Sequence, residues 1–153
     1  MNNPAATSAP QGRIWVLGES IDTDAMAPGK YMKFGIDEIA RHCLEELVPD
    51  FASGVRAGDV MVAGGNFGVG SSREQAPQAL KHLGVAAVIA SSFAGLFYRN
   101  AINLGLPVLV CHSTELLEDG QGVRIDLAAS TLQLADGRWP MAARSPAFPC
   151  QTS

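Results

Sequence analysis

Val60-Met61-Val62-Ala63-Gly64-Gly65-Asn66-Phe67-Gly68-Val69-Gly70-Ser71-Ser72-Arg73-Glu74 is the stretch on which the fold and the chemistry both turn. Four apolar residues read as a short strand, and a glycine-rich loop leaves its C-terminal end just before a helical segment. Glycines permit positive φ and let backbone approach a ligand closely. The helix start presents unpaired N–H groups to negative charge. Two hydroxyls stand beside Arg73, which can grip a carboxylate through two parallel hydrogen bonds. A small polyanion is the expected guest.

Familiar glycine signatures do not fit. No Gly-Lys follows these glycines, as a P-loop requires. Gly65, Gly68 and Gly70 read G-x-x-G-x-G, whereas the dinucleotide fingerprint is G-x-G-x-x-G. Ser71 lacks the G-x-S-x-G elbow of a hydrolase, and His42, His82 and His112 have no recognisable triad setting.

Upstream, residues 13–17 form an apolar strand that leads into Gly18-Glu19-Ser20-Ile21-Asp22-Thr23-Asp24. Pro28-Gly29 prolongs this into an irregular loop over residues 18–35. Apolar residues at Ile36, Ile39, Ala40, Cys43, Leu44 and Leu47 have helical spacing, which predicts a helix over 36–47 stopped by Pro49.

Downstream, Ser71-x-x-Glu74 and Ser72-x-x-Gln75 match a capping box. Pro77 would sit too deep in a helix begun there, so regular helix is expected from about 77 to 83 after an irregular turn at 71–76. Residues 85–90 read as a buried strand, and Ser91-Ser92 as the cap of a helix over 93–104 closed by Gly105. A strand at 107–111 follows, then weaker ones at 123–127 and 131–134, with an Asp136-Gly137 turn signal before Trp139. Alternation of strand and helix predicts parallel pairing by right-handed crossovers, with antiparallel strands added late. The fold class is α/β, layered.

The 153 residues fit one domain, expected over 12–143, with a disordered tail at 1–11 and a loose tail at 144–153. A net charge of −4 offers no basic field for nucleic acid, and no apolar run is long enough to span a bilayer. Residues 1–11 lack the basic and apolar regions of a signal peptide, so the cytoplasm is the expected compartment. Cys43, Cys111 and Cys150 contain no C-x-x-C pair, so the first two are expected as buried thiols and no metal is expected on this chain.

Gly65-Asn66-Phe67-Gly68-Val69-Gly70-Ser71-Ser72-Arg73-Glu74-Gln75-Ala76-Pro77 resembles the signature of the 3-isopropylmalate dehydratase small subunit, the counterpart of the swivelling C-terminal domain of aconitases. The likeness continues through Ser92-Phe93-Ala94, Phe97-Tyr98-Arg99-Asn100-Ala101-Ile102-Asn103 and Gly105-Leu106-Pro107. Upstream it includes Asp22-Thr23-Asp24 and Pro28-Gly29-Lys30-Tyr31-Met32, so it spans roughly residues 13–111.

The resemblance implies an aconitase-type swivelling β/β/α domain, a layered mixed sheet with flanking helices. It implies half of a hydro-lyase that interconverts 2-isopropylmalate and 3-isopropylmalate by dehydration and rehydration, in leucine biosynthesis. A [4Fe–4S] cluster would be carried by a separate large subunit, the expected partner, and none would be bound by this chain alone. By the same resemblance Ser71 is the general base, Ser72 and Arg73 hold substrate carboxylates, and Thr23 and Asp24 orient the arginine. Plain helix capping is the alternative for Ser71 and Ser72, and a simple Asx turn for Thr23 and Asp24.

The segment Tyr31-Met32-Lys33-Phe34-Gly35 departs from the family pattern, because Lys33 stands where isopropylmalate enzymes commonly carry an apolar residue. A cation there suits an extra carboxylate, as in homoaconitate- or citrate-like substrates, while a lysine pointing to water is equally compatible; the same machinery acting on one of these or on a methylmalate-like acid is the alternative substrate reading. Arg99, Asn100 and Asn103 read as readily as surface or core-edge residues as ligand contacts. A stand-alone carboxylate-binding module, without an iron–sulfur partner, is a reading from another class. Self-association of the isolated chain is compatible with either.

Overall fold

Continuous apolar runs become the parallel strands that organise the molecule. The computed structural model describes residues 12–71, 73–111, 117–126, 131–134 and 141–142. Strands β1 (Gly12–Val16), β2 (Val60–Ala63), β3 (Ala87–Ala90) and β4 (Val108–Val110) pair in parallel. β5 (Gly122–Asp126), β6 (Thr131–Leu134) and β7 (Met141–Ala142) extend the sheet antiparallel from the far side of β1. The order is β4-β3-β2-β1-β5-β6-β7. Every residue of β2 and β3 is buried, as expected for strands covered on both faces.

The two faces follow the period of two along each strand. Met61, Ala63, Val88 and Ala90 belong to one core with Met26, Ile39, Phe51, Leu80 and Phe97. Those five come from helices α1 (Thr23–Met26), α2 (Ile36–Arg41), α3 (Phe51–Gly54), α4 (Gln75–His82) and α5 (Gly95–Leu104). Val60, Val62 and Ile89 face the other way, onto a second core with Leu109, Val123 and Leu134. Consecutive strand order with every helix on one face is what crossovers of a single hand produce. The expected late antiparallel strands are where the sequence placed them.

Several boundaries differ from expectation. Helix α2 ends at Arg41 instead of running to Leu47, and a series of turns follows. Leu44 takes a left-handed conformation (φ 60°), and its N–H donates across the structure to the Ala25 carbonyl at 2.8 Å. That tertiary bond competes with the helical one, so Pro49 is not what stops the helix. Within the expected irregular loop, Asp22 caps α1 by accepting from the Ala25 N–H at 2.8 Å, and Gly29–Tyr31 forms a 3₁₀ turn. Helix α3 carries no apolar periodicity long enough to be seen in the sequence.

Helix α4 begins two residues before Pro77, so proline is its third residue. The first turn has no intrahelical acceptor for its N–H groups, and a missing one costs nothing there. Helix α5 starts at Gly95 with Ala94 as its N-cap, so neither Ser91 nor Ser92 is its cap; Gly105 closes it as expected, at φ 81°. The tails at 1–11 and 144–153, the Asp136-Gly137 turn, His112 and Cys150 lie outside the described residues.

Candidate functional site

The loops that leave β1, β2 and β3 meet at the carboxyl ends of the parallel strands, where open α/β sheets place their ligands. The first two are zipped together by backbone bonds: Gly64 N–H to Gly18 at 3.0 Å, Ser20 N–H to Gly65 at 2.8 Å, Gly68 N–H to Ile21 at 2.7 Å and Thr23 N–H to Val69 at 2.9 Å. Ser92 ties in the third, its hydroxyl accepting from the Asn66 N–H at 2.8 Å and its carbonyl from Phe67 at 3.1 Å. The residue read as a helix cap therefore staples two loops.

Phe67 anchors the glycine loop in the core. It is fully buried and meets Phe97 edge-on at 5.2 Å and Phe93 edge-on at 5.9 Å. Gly68 follows at φ 88°, and a Cβ there would lie 2.3 Å from the Phe97 side chain. Only glycine lets the chain turn over that ring. The loop is thus seated on one side and raises Val69 and Ser71 into solvent on the other.

Four of the sequence-predicted residues come together here. Thr23 is buried, and its hydroxyl donates to the Ser71 carbonyl at 2.8 Å, which fixes the backbone of the serine and leaves its side chain exposed. Among the described residues the Ser71 hydroxyl has no hydrogen-bond partner. It is no helix cap either, since α4 starts at Gln75 with Glu74 as N-cap. Ser72 lies outside the described residues.

Arg73 Nη1 donates to Asp24 Oδ1 at 2.7 Å and to the Ala27 carbonyl at 2.9 Å. Asp24 Oδ1 also accepts from the Gly29 N–H at 2.9 Å. The Arg73 bond, aided by Gly29, holds the Asp24 carboxyl below its ordinary value of 3.8, so it is ionised near neutrality. One nitrogen of the guanidinium is committed; Nη2 and Nε have no partner among the described residues. The Ala27 carbonyl and the Gly29 N–H were not foreseen, because backbone groups leave no mark in a sequence.

Lys33 is placed differently. Its ammonium stands 5.5 Å over the exposed ring of Phe34 and forms no ion pair among the described residues. Its loop joins the site through Gly29.

An open cleft of about 310 Å³ adjoins Asp24, lined by Glu19, Asp22, Asp24, Glu45 and Glu46 among others, but neither Ser71 nor Arg73 lines it. Five carboxylates repel an anion, so the cleft disfavours one, and the positive charge of the site lies on the Arg73 side. Among the described residues no three His, Cys, Asp or Glu side chains converge to hold a metal ion. Cys43 is fully buried, and burial pushes its thiol far above the ordinary range, which disfavours the thiolate an iron would need. Among the described residues, none offers the ligand set an iron–sulfur cluster needs.

The aconitase C-terminal domain pattern matches residues 43–113, which include the glycine loop, Ser71 and Arg73. The 3-isopropylmalate dehydratase small subunit of Halothermothrix orenii is 51% identical over 128 residues, covering 82% of this chain and 78% of the relative. The chain belongs to this small-subunit family. The methanogen homoaconitase small subunit of Methanothermobacter thermautotrophicus is another member, 54% identical over 80% of this chain and 72% of its own length. The fold agrees with a crystal structure of 3-isopropylmalate dehydratase (leuD) from Methanocaldococcus jannaschii at TM-score 0.82 and 43% identity, covering 88% of this chain and 81% of that one. That solved structure thus shares the mixed sheet with flanking helices that the resemblance implied.

Proposed function

We propose that the chain is the small subunit of a hydro-lyase that interconverts 2-isopropylmalate and 3-isopropylmalate, and that it serves leucine biosynthesis together with a large subunit. The observation that carries the reading is the joined pair of loops that sets Ser71 beside an arginine held by one edge. The relatives' names support the substrate and the large-subunit partner.

The reaction removes a proton alpha to a carboxylate, and Ser71 Oγ is the base that takes it. A serine hydroxyl is a weak base until ionised, and positive charge lowers its pKa. Arg73 supplies that charge two residues away along the chain. The uncommitted edge of Arg73 binds a substrate carboxylate and offsets the negative charge that builds at the adjacent carbon as its proton leaves. Ser72 assists with the same carboxylates. In the rehydration half, the protonated Ser71 returns its proton to the other carbon. A [4Fe–4S] cluster on the large subunit supplies Lewis acidity toward the substrate hydroxyl. Ser71 is exposed in the lone chain, so docking of that subunit is also what excludes water and strengthens these interactions.

A second reading keeps this machinery and changes the substrate to a homoaconitate-type tricarboxylate. Lys33 and the 54% identity to a methanogen homoaconitase small subunit favour it. The test is reconstitution of the chain with a cluster-loaded large subunit and assay against isopropylmalate, homoaconitate, citrate and methylmalate-type acids. Turnover of isopropylmalate supports the first reading, turnover confined to the tricarboxylates the second. Carboxylate binding without turnover of any of them would overturn both.

A further inference from the structure

A second cluster of titratable groups abuts the loop that carries Lys33. His42 is the C-cap of α2, and its ring lies flat against Tyr31, with centroids 3.7 Å apart and planes 7° from parallel. Both ring nitrogens face carboxylates: Nδ1 is 2.7 Å from Glu45 Oε1 and Nε2 is 3.1 Å from Glu38 Oε2. Tyr31 Oη donates to the second oxygen of Glu45 at 3.2 Å. Arg41 engages the other oxygen of Glu38. On the facing turn, Lys30 lies 5.4 Å over the Tyr31 ring and acts on Glu45. From α4, His82 pairs with Asp37 at 2.9 Å.

A neutral imidazole has one N–H, so two facing carboxylates are both satisfied only by the imidazolium. Charged, the ring also gains attraction to the tyrosine face. Tyr31 in turn is the rigid end of the loop: the Met32 N–H donates to Gly29 at 3.1 Å and the Phe34 N–H to Tyr31 at 2.9 Å. Residues 29–34 are therefore tied into one bonded turn, and Lys33 lies inside it. At the other end Gly29 is fixed by Asp24, the partner of Arg73.

We propose that His42 is a positioning residue whose imidazolium, clamped between Glu38 and Glu45, pins Tyr31 and so holds Lys33 in the pose that meets the substrate. The inference rests on the reading of Lys33 as a substrate contact. Its sign with pH follows from the direction of the His42 shift: the bonds to Glu45 and Glu38 raise it above the ordinary 6.5. The clamp is complete below that value and is lost as pH rises through the folded-state midpoint.

The test has two arms. In the isolated full-length chain, NMR follows the His42 ring and the Lys33 and Gly35 amides against pH; the amides are expected to shift with the His42 midpoint and to stop doing so in His42→Asn. In the pair reconstituted with the large subunit, His42→Asn is expected to raise KM about tenfold with kcat within about twofold, the signature of lost uniform binding. His42→Phe keeps the stack without the charge or the two carboxylate bonds, and is expected to raise KM as His42→Asn does and to abolish its alkaline rise. Amides that ignore the His42 titration overturn the proposal, as does a KM sensitive to Lys33→Ala but not to His42→Asn. Amides that follow His42 while Lys33→Ala leaves KM unchanged support the hold on the loop and overturn the reading of Lys33 instead.

Discussion

Arg73 and Asp24 stand 49 residues apart in the chain and meet at 2.7 Å, and this contact decides which edge of the guanidinium stays open. Nη1 is consumed by Asp24 and by the Ala27 carbonyl, so the remaining N–H groups are presented as a preset fork. Asp24→Ala is expected to raise KM for the carboxylate substrate about tenfold in the reconstituted pair, since orientation and not charge on the ligand is what it removes. Asp24 is 65% exposed, so melting of the isolated chain is expected to change little. Because the folded-state carboxyl is held below 3.8, the contact is complete above that pH and lost only as pH falls further. Steady-state kinetics between pH 5 and 8 (about the working range of such titrations) are therefore expected to show no Asp24 transition.

Arg73→Lys tests the fork itself. A lysine can pair with Asp24 or with the substrate, but its single nitrogen cannot reproduce two parallel bonds to a carboxylate. The expected loss in kcat/KM is about 100-fold, the size of one or two charge-assisted hydrogen bonds. An unchanged kcat/KM would mean that the open edge faces no carboxylate during turnover.

Gly68→Ala probes the seating of the loop. The new Cβ would meet Phe97 at 2.3 Å on a backbone at φ 88°, combining overlap with strain. The expected loss of stability is on the order of 3 kcal/mol, read as a shift in urea midpoint. Gly18→Ala is the control, because nothing lies within 4 Å of its Cβ position, and it is expected to leave the midpoint nearly unchanged.

What the sequence disclosed follows from the range of the interactions involved. β2 was legible from Val60–Ala63 because burial on both faces leaves a local run of apolar residues. The glycine loop was legible because backbone conformation selects glycine itself, as at Gly68. Thr23, Asp24, Ser71 and Arg73 were marked by the family pattern, and the structure draws them into one place. Other features depend on contacts that no window of sequence contains. Leu44 leaves the helical path for a bond to Ala25, and Ser92 gives up capping for a bond to Asn66. His42 belongs to the same class: it offered no triad setting, yet its ring bridges two carboxylates and stacks on Tyr31.

Asp59 is a buried carboxylate that no periodic rule would single out. It accepts from the Arg13 N–H at 3.0 Å, the Trp15 indole at 2.9 Å and the Arg56 N–H at 2.9 Å, joining the start of β2 to β1. Asp59→Ala leaves those donors without partners in a site closed to water. The expected cost is about 3 kcal/mol, checked by chemical denaturation. The loops that carry Ser71 and Arg73 lie at the other end of these strands, so KM in the reconstituted pair is expected to stay within about twofold where the variant is folded.

Ser71→Ala separates chemistry from architecture, because only the carbonyl of Ser71 is used structurally among the described residues. Its side chain is exposed, so the variant is expected to melt with the native chain. Turnover in the reconstituted pair is expected to fall about 1000-fold with KM within about threefold, as for loss of a general base. Thr23→Val gives the complementary pattern. It removes the donor that fixes the Ser71 backbone and leaves a carbonyl unpaired, costing about 1 kcal/mol of stability. With Oγ still present but less well aimed, kcat is expected to fall only about tenfold. A Ser71→Ala enzyme that retained near-native turnover would place the base elsewhere, and a Thr23→Val enzyme as damaged as Ser71→Ala would show that the serine backbone, not its hydroxyl, is what the reaction needs.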